Sequence, residues 1–352
     1  MQRFKDFLGD IDHLCETSAG IDKSEYVHPK LKNLGSVSLV LIRETIAPVI
    51  FKNFEQEITD IVIENGGEPH VRAVPNKFKY PERGRGLQIL RALEAGGRLP
   101  QNKTALNEGQ NPSEAFDLNS LLFGDSVQKP KILPIKAAVN YSDALSVLPK
   151  YQCVEETHHA RVNEAGTLWD EEKQENSSHL FKRHFIKPST LLIQVLSTHH
   201  RLLPQIGFDH LLLCLGMAGA YGGQTSVTGI NIRTHVVGIY GDFFEQAITS
   251  PYELVKSLPK DDINVKHDIK ALTGYLHQQL STTHKASMDT ETATAYQQTQ
   301  VERFEKNHDA LAKEYQAAQQ KIGAFFDEWF GKVAVGRKGR RRKKKEIEPE
   351  VS

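Results

Sequence analysis

Cysteine is scarce in this chain, with three in 352 residues, Cys15, Cys153 and Cys214. They are too scattered for a disulfide framework, and an odd number fits a reducing compartment. Long hydrophobic runs are also missing. The longest, Leu211 to Ala220, is half of the ~20 residues that a membrane span needs. The opening MQRFKDFLGDIDHL has no apolar stretch of the secretory kind. A soluble, cytoplasmic protein that makes no use of a membrane is therefore expected. Neither sign of charge is in excess, because 44 Lys and Arg meet 44 Asp and Glu. With 39% hydrophobic residues, the chain can bury a core and is not wholly disordered. Its length suggests two domains, or one large domain with insertions, and neither needs a metal or a disulfide merely to fold.

Signatures of catalysis are absent as well. There is no Gly-x-Ser-x-Gly, no His-Glu-x-x-His and no activated-cysteine pattern. His199-His200-Arg201 follows a strand pattern but has no nucleophile beside it. Lone carboxylates such as Asp125 and Asp143 could hold a metal or act as bases, and nothing in the sequence singles one out. The glycine-rich GAYGGQTSVTG (219–229) is no Walker loop, since no Gly-Lys-Ser/Thr follows. It ends a helix instead of opening one, so it is no dinucleotide fingerprint either. Two readings remain, a tight structural turn and a nest of backbone N–H groups for an anion.

The even charge balance conceals an asymmetry. Residues 337–345 read RKGRRRKKK, which is eight of the 44 cations, and Glu346, Glu348 and Glu350 follow. Residues 1–336 then hold 36 cations and 41 anions. A block of like charges cannot pack and is expected to be disordered. It reads either as a phosphate-binding tail or as a solubilising end.

Along the chain, SVSLVLIRETIAPVIF (36–51) reads as one or two strands, and EITDIVIENGG (57–67) as another that ends in a glycine turn. Pro81 and Glu82 open a helix that stops at Gly96-Gly97. Residues 98–119 read as a loop, and DLNSLLFGD follows as a short apolar knot. ILPIKAAVNYSDALSVL and HFIKPSTLLIQVLSTH are strand material, FDHLLLCLGMAGAYGG is a helix, and GINIRTHVVGIYG is a strand. Strand–helix–strand occurs twice, with long insertions between. That order predicts an α+β fold, an RRM-like (ferredoxin-like) antiparallel sheet with its helices on one face. The core spans 30–245. A helical region at 260–332 and a basic tail at 333–352 follow. In the helical region Val301, Phe304, His308, Leu311, Tyr315, Ala318, Ile322, Phe325 and Trp329 recur at spacings of three and four, which predicts one helix with an apolar stripe. The stripe either docks on its own body or seeks a partner as a short coiled coil.

Two clusters could carry binding chemistry. VRAVPNKFKYPERGRG (71–86) interleaves Arg72, Lys77, Lys79, Arg83 and Arg85 with Phe78 and Tyr80. Cations bind phosphates and aromatics stack on bases, so the mixture suits single-stranded nucleic acid; a solvated loop with two aromatic anchors fits the composition equally. Cys153, His158, His159, His179 and His184 gather around the polar insertion at 155–178. Thiolate and imidazole are zinc ligands, although the spacing matches no common finger and exposed histidines give the same pattern.

Several pieces in this order and spacing resemble the RAMP superfamily of CRISPR proteins. LLFG (121–124) is similar to the superfamily's leucine-phenylalanine-glycine knot. ARVNEAGTLW followed by SSHLFKRHFIKPSTLLIQVL (160–196) resembles the thumb-to-strand segment of backbone subunits, with Ala165-Gly166-Thr167 in place of the usual Thr-Gly. GGQTSVTG (222–229) resembles the glycine loop, with Val227 where relatives often carry Arg. SLVLIRETIAPVIFKNFE and KYPERGRGLQILRAL most resemble the Cas-seven-type backbone subunit of type I-D Cascade, the Csc-two family.

The resemblance covers roughly residues 30–245. It implies an RRM-like core with a thumb at about 155–185, a lid and added helices. It also implies a protein that oligomerises along CRISPR RNA and presents it to target DNA. Its implied partners are CRISPR RNA, target DNA through guide pairing, copies of itself and the other type I-D subunits. RNA contacts would fall on Arg72, Lys77, Lys79, Tyr80, Arg83 and Arg85. In the thumb they would fall on Arg161, Lys182 and Arg183, and in the glycine loop on Tyr221, Gly222, Gly223, Gln224, Thr225 and Ser226. No cofactor is required on this reading, and a structural zinc at Cys153 and His158 is implied by the family. The rival is a metal-dependent ribonuclease of the type III kind, with Asp60, Asp117, Asp125 or Asp143 as its loop aspartate.

Overall fold

SVSLVLIRET has four successive apolar residues, Leu39 to Ile42, as a strand buried on both faces should. It forms β1 (Ser36–Thr45), in which Glu44 alone is not buried. The chain continues through α1 (Asn76–Ala92), β2 (Ala144–Pro149), β3 (Leu191–Thr198), α2 (Gln205–Met217) and β4 (Ile232–Asp242). The computed structural model describes residues 1–30, 33–51, 58–97, 111–125, 135–160, 169–170, 175–176, 180–223, 225–260 and 262–335. The four strands lie in the order β4-β1-β3-β2, and each neighbouring pair is antiparallel. The mixed helix-and-antiparallel-sheet fold expected from the sequence is thus present, with strand–helix–strand repeated twice. Pro69–Ala73 and then Asp60–Val62 extend the sheet beyond β2, Ala286–Met288 extends it beyond β4, and Val139–Tyr141 pairs with β3.

The helices do not keep to one face, contrary to expectation. Val37, Leu39 and Leu41 of β1 pack with Ile89 and Leu90 of α1 and with Leu211 and Leu212 of α2. Val40 and Ile42 point the other way, with Ile193 of β3 and Val237 of β4. That second face is covered by α3 (Pro251–Ser257) and α4 (Ile269–Ser281), through Leu254, Leu272, Leu276 and Leu280. Strands that are apolar on both sides demand this second layer, since an open apolar face would remain in water.

The stripe at the C-terminal end docks on its own body. Two helices carry it instead of one, α5 (Thr290–Lys306) and α6 (His308–Val335), because the chain leaves the helical region at Asn307 (φ −125°, ψ 40°). Leu311, Tyr315, Ile322 and Phe325 are buried in the same core as α1 and α2. Among the described residues no helix is long and apolar enough to cross a membrane.

Part of the segment read as a loop is helical. Pro112–Ala115 forms one turn behind an Asn111/Glu114 capping box, and Leu118–Phe123 forms another behind Asp117. Outside the main sheet, Val154–Ala160 pairs antiparallel with Leu180–Ile186, Val154 opposite Ile186 and Ala160 opposite Leu180. Val49 bridges Ile186 at the base of this ribbon. The basic run at 337–345 lies outside the described residues.

Candidate nucleic-acid interface

α1 starts at Asn76, ahead of the predicted Pro81, and carries that proline inside it. Pro75 precedes the first turn, and its carbonyl accepts from the Phe78 and Lys79 amides. A proline inside a helix removes one hydrogen bond and crowds the turn before it. The neighbours on both sides offset this. Phe78 is fully buried against Phe51 and Tyr221, and Glu82 is fully buried in a polar network. Lys77, Lys79, Tyr80, Arg83 and Arg85 are therefore helical, whereas Arg72 belongs to the strand Pro69–Ala73.

An open groove of about 950 Å³ runs along the first turns of α1. Lys77, Lys79, Tyr80 and Arg83 line it as an α1 wall and Gly222 and Gly223 as a glycine-loop wall, and Phe123, Gly124 and Asp125 also line it. Three stretches that the sequence offers separately thus meet in one place: the basic segment, the leucine-phenylalanine-glycine knot and the glycine loop. Tyr80 is 72% exposed, which leaves its ring free to stack. Lys79 is half-buried with its Nζ 5.9 Å from the centre of the Tyr141 ring, and burial, then Arg83, lower its pKa. Arg83 Nη2 lies 3.0 Å from Asp125 Oδ1.

The glycine loop is held from beneath. Asn231, fully buried, accepts from the Tyr221 amide (2.9 Å) and donates to the Tyr221 carbonyl (2.8 Å). The Gly223 amide donates to the Ile50 carbonyl at 2.9 Å. Gly222 has φ +84°, and a Cβ there would meet that carbonyl oxygen at 2.7 Å. Gly222→Ala should therefore cost at least the ~1–2 kcal/mol of a left-handed backbone. At Gly223 the nearest atom to an added Cβ is 3.7 Å away, so Gly223→Ala should be close to neutral. Urea unfolding of the two variants checks the contrast; equal losses would mean that the loop is not held as described.

Beneath the groove Arg43 of β1 and Glu82 of α1 form an ion pair with no exposed surface. Nη2 of Arg43 sits 2.8 Å from Glu82 Oε1, off the hydrogen-bond axis. Its aligned bonds run from Nε to Gln194 Oε1 (3.0 Å) and from Nη1 to Thr234 Oγ1 (2.7 Å). The guanidinium also lies 4.9 Å from the centre of the Phe78 ring. Glu82 accepts the Tyr221 hydroxyl on Oε1 (3.0 Å) and the Tyr141 hydroxyl on Oε2 (2.6 Å). Burial opposes the charge on Arg43 most strongly, but Glu82 together with Tyr221 and Tyr141 outweighs it, and the arginine pKa is raised. Sequence reasoning missed this group. Its one cue is a lone arginine inside the apolar run of β1.

Several predicted site residues are not in the groove. Arg72 points to the other side of the sheet, where its Nε and the Tyr252 hydroxyl both donate to Asp143 Oδ2. Arg85 donates to Gln88 and borders a second groove beside Ile230 and Arg233. Tyr221 is fully buried, so its ring anchors the loop and is not on offer to a base. Thr225 opens a short helix, Thr225–Thr228, past the groove; Gln224 and the Ser226 side chain lie outside the described residues. So do Arg161 and the side chains of Lys182, Arg183 and His158.

The zinc implied by the resemblance would draw on Cys153 and His158, and the His158 side chain lies outside the described residues. Cys153 is buried, its thiol donates to the Leu148 carbonyl (3.4 Å), and burial pushes its pKa up. No group of three or more metal-ligating side chains occurs among the described residues. The rival's aspartates all have partners. Asp60 pairs with Lys150, Asp143 with Arg72, and Asp125 with Arg83. Asp117 caps Leu118–Phe123 through the Ser120 amide and accepts from the Gly97 amide at 2.8 Å; burial raises its pKa against those bonds.

Comparison with known proteins adds the family. No curated protein matches the chain. The crystal structure of Thermofilum pendens Csc2 shares the fold at 15% identity, with 94% of this chain and 97% of that one covered and a TM-score of 0.56. Two chains from structures described as CRISPR RNA-guided surveillance complexes, one of them pre-nicking, are each 13% identical over 72% of this chain. They are covered to 90% and 86%, with TM-scores of 0.49 and 0.47. The family described as Csc2 Crispr matches residues 36–323, from the first residue of β1 far into α6, and the chain belongs to that family.

Proposed function

We propose that this protein binds CRISPR RNA in the α1 groove and serves as the repeated backbone subunit of a type I-D Cascade complex. The observation that carries this reading is the meeting of Lys77, Lys79, Arg83 and an exposed Tyr80 with the Gly222-Gly223 backbone, in a chain of the Csc2 family. Lysine and arginine take phosphates, the tyrosine ring stacks on a base, and glycines let the backbone approach the strand. None of these contacts reads sequence, which guide pairing with target DNA supplies. The ribbon of Val154–Ala160 and Leu180–Ile186 serves as the thumb that spaces the guide, and a head-to-tail contact that does not close lets copies follow one another along it. The basic run at 337–345 adds salt-sensitive capture of nucleic acid. Binding requires no covalent step.

The test is the nucleic acid that purifies with the protein when it is expressed beside a CRISPR array. A discrete small RNA with one repeat-derived end is expected, and RNA of mixed length and origin would overturn the reading. Adding Mg²⁺ or Mn²⁺ to the complex with RNA paired to its guide should leave that RNA intact; cleavage would transfer the chain to the ribonuclease class.

A further inference from the structure

We propose that the buried Arg43–Glu82 pair, together with Tyr141 and Tyr221, positions the two walls of the groove relative to each other. The proposal rests on the RNA-binding reading, which names what the walls hold. A buried ion pair is weak evidence for stability, because well-packed apolar side chains of the same volume often do as well or better. What apolar packing lacks is direction. Here each oxygen of one carboxylate accepts a tyrosine hydroxyl, the Arg43 guanidinium lies beside Oε1 as counter-charge, and the three partners come from different parts of the fold. Glu82 stands between Tyr80 and Arg83, two residues of one wall. Tyr221 immediately precedes Gly222 and Gly223, which form the other. The hydroxyl bond between them is 3.0 Å long and joins residues 139 apart in the chain.

Arg43 refers this link to the sheet. Its Nε and Nη1 reach Gln194 on β3 and Thr234 on β4, and Gln194 passes on through Nε2 to the Ser142 carbonyl (3.0 Å). The second Glu82 oxygen holds Tyr141, the residue over whose ring the Lys79 ammonium lies. Three groove features thus take their place from one carboxylate: the α1 wall, the glycine wall and the Lys79 ammonium. Arg43, Glu82, Tyr141 and Tyr221 touch no ligand themselves; they are positioning residues.

The test uses the full chain and a single-stranded RNA oligonucleotide. The double variant Arg43→Met/Glu82→Leu keeps volume and removes the charges, and Tyr221→Phe removes one hydroxyl. Three quantities are read: melting temperature, RNA affinity across a salt series, and amide exchange at 79–83 and 221–223 without RNA. The double variant leaves no unpaired charge and is expected to melt well above Glu82→Ala, short of the parent only by the two tyrosine hydroxyls that lose their acceptor. It should bind RNA roughly tenfold more weakly, with a salt slope lower by about 0.7, one single-strand phosphate contact. Amide exchange at 221–223 should be faster. A purely structural pair would move the melting temperature and leave slope and exchange alone, and that result overturns the proposal. If the double variant does not fold, Tyr221→Phe decides. A several-fold loss of affinity with faster exchange at an unchanged melting temperature supports the proposal, and parental affinity and exchange overturn it. If the parent binds no RNA, or binds it regardless of Lys77, Lys79 and Arg83, the RNA-binding reading falls. The exchange measurement alone then decides whether the network positions the loop.

Discussion

Alanine at Lys77, Lys79 and Arg83 together is expected to weaken single-stranded RNA binding about 50-fold at physiological salt. Each phosphate contact on a single strand contributes about 0.7 to the salt slope, so three contribute about 2; between 1 M and 0.15 M salt that amounts to ~50-fold. Arg72→Ala and Arg85→Ala should each leave the slope where it was, because Arg72 lies across the sheet with Asp143 and Arg85 outside the groove with Gln88. Tyr80→Ala should weaken binding without altering the slope, since a lost stacking contact releases no counterions. Fluorescence anisotropy over a salt series separates the two kinds of loss. A triple variant that folds and retains the parental slope would remove this face of α1 from the RNA path.

Glu82→Ala is expected to destabilise the protein by about 3–5 kcal/mol, the range found when one partner of a buried pair is removed. The change leaves the Arg43 guanidinium at 0% exposure beside Phe78 and Tyr221, with Gln194 and Thr234 to bond but no counter-charge. It also takes the acceptor from two tyrosine hydroxyls. Against a typical total of about 5–15 kcal/mol, much of the population would be unfolded on warming. Urea unfolding at neutral pH measures it, and a loss below ~1 kcal/mol would show that water or a neighbour replaces the carboxylate.

Pro81 and Gly96-Gly97 bracket most of α1 and made it legible; the four central strands and α2 were legible because each holds a bounded apolar run with turn residues at its ends. LLIQVLST became β3 and FDHLLLCLGM fell within α2 for that reason. The start of α1 was misplaced because proline usually opens a helix; at Pro81 the burial of Phe78 and Glu82 outweighs the lost bond. The second helical layer was missed although β1 announces it, since a strand apolar at successive positions has two faces to cover. In the site, the basic segment and the glycine loop could each be read from composition. Their meeting could not, because Glu82 and Tyr221 are joined through a fold and not through a spacing. Likewise Arg72 and Arg85 look like Lys77 and Arg83 in a one-dimensional count of cations. Strand alternation and helix angle send them elsewhere.

The layer formed by α3 and α4 has a consequence for evolution as well as for packing. An RNA-recognition motif leaves one side of its four-stranded sheet bare and stacks bases on aromatic side chains of the strands. Here that side is roofed by Leu254, Leu272, Leu276 and Leu280. Most strand residues therefore answer to the interior, and on the RNA-binding reading proposed above contact with a ligand passes to a helical tyrosine and a glycine turn at the margin. Scaffold and recognition then meet in few residues. Drift along most of the strands is policed by volume and apolarity, whereas Arg43, Gln194 and Thr234 tie three strands to the margin through Glu82. A search for aromatic strand signatures would pass over such a protein, whereas a search for a buried arginine in β1 facing a glutamate in α1 would find it.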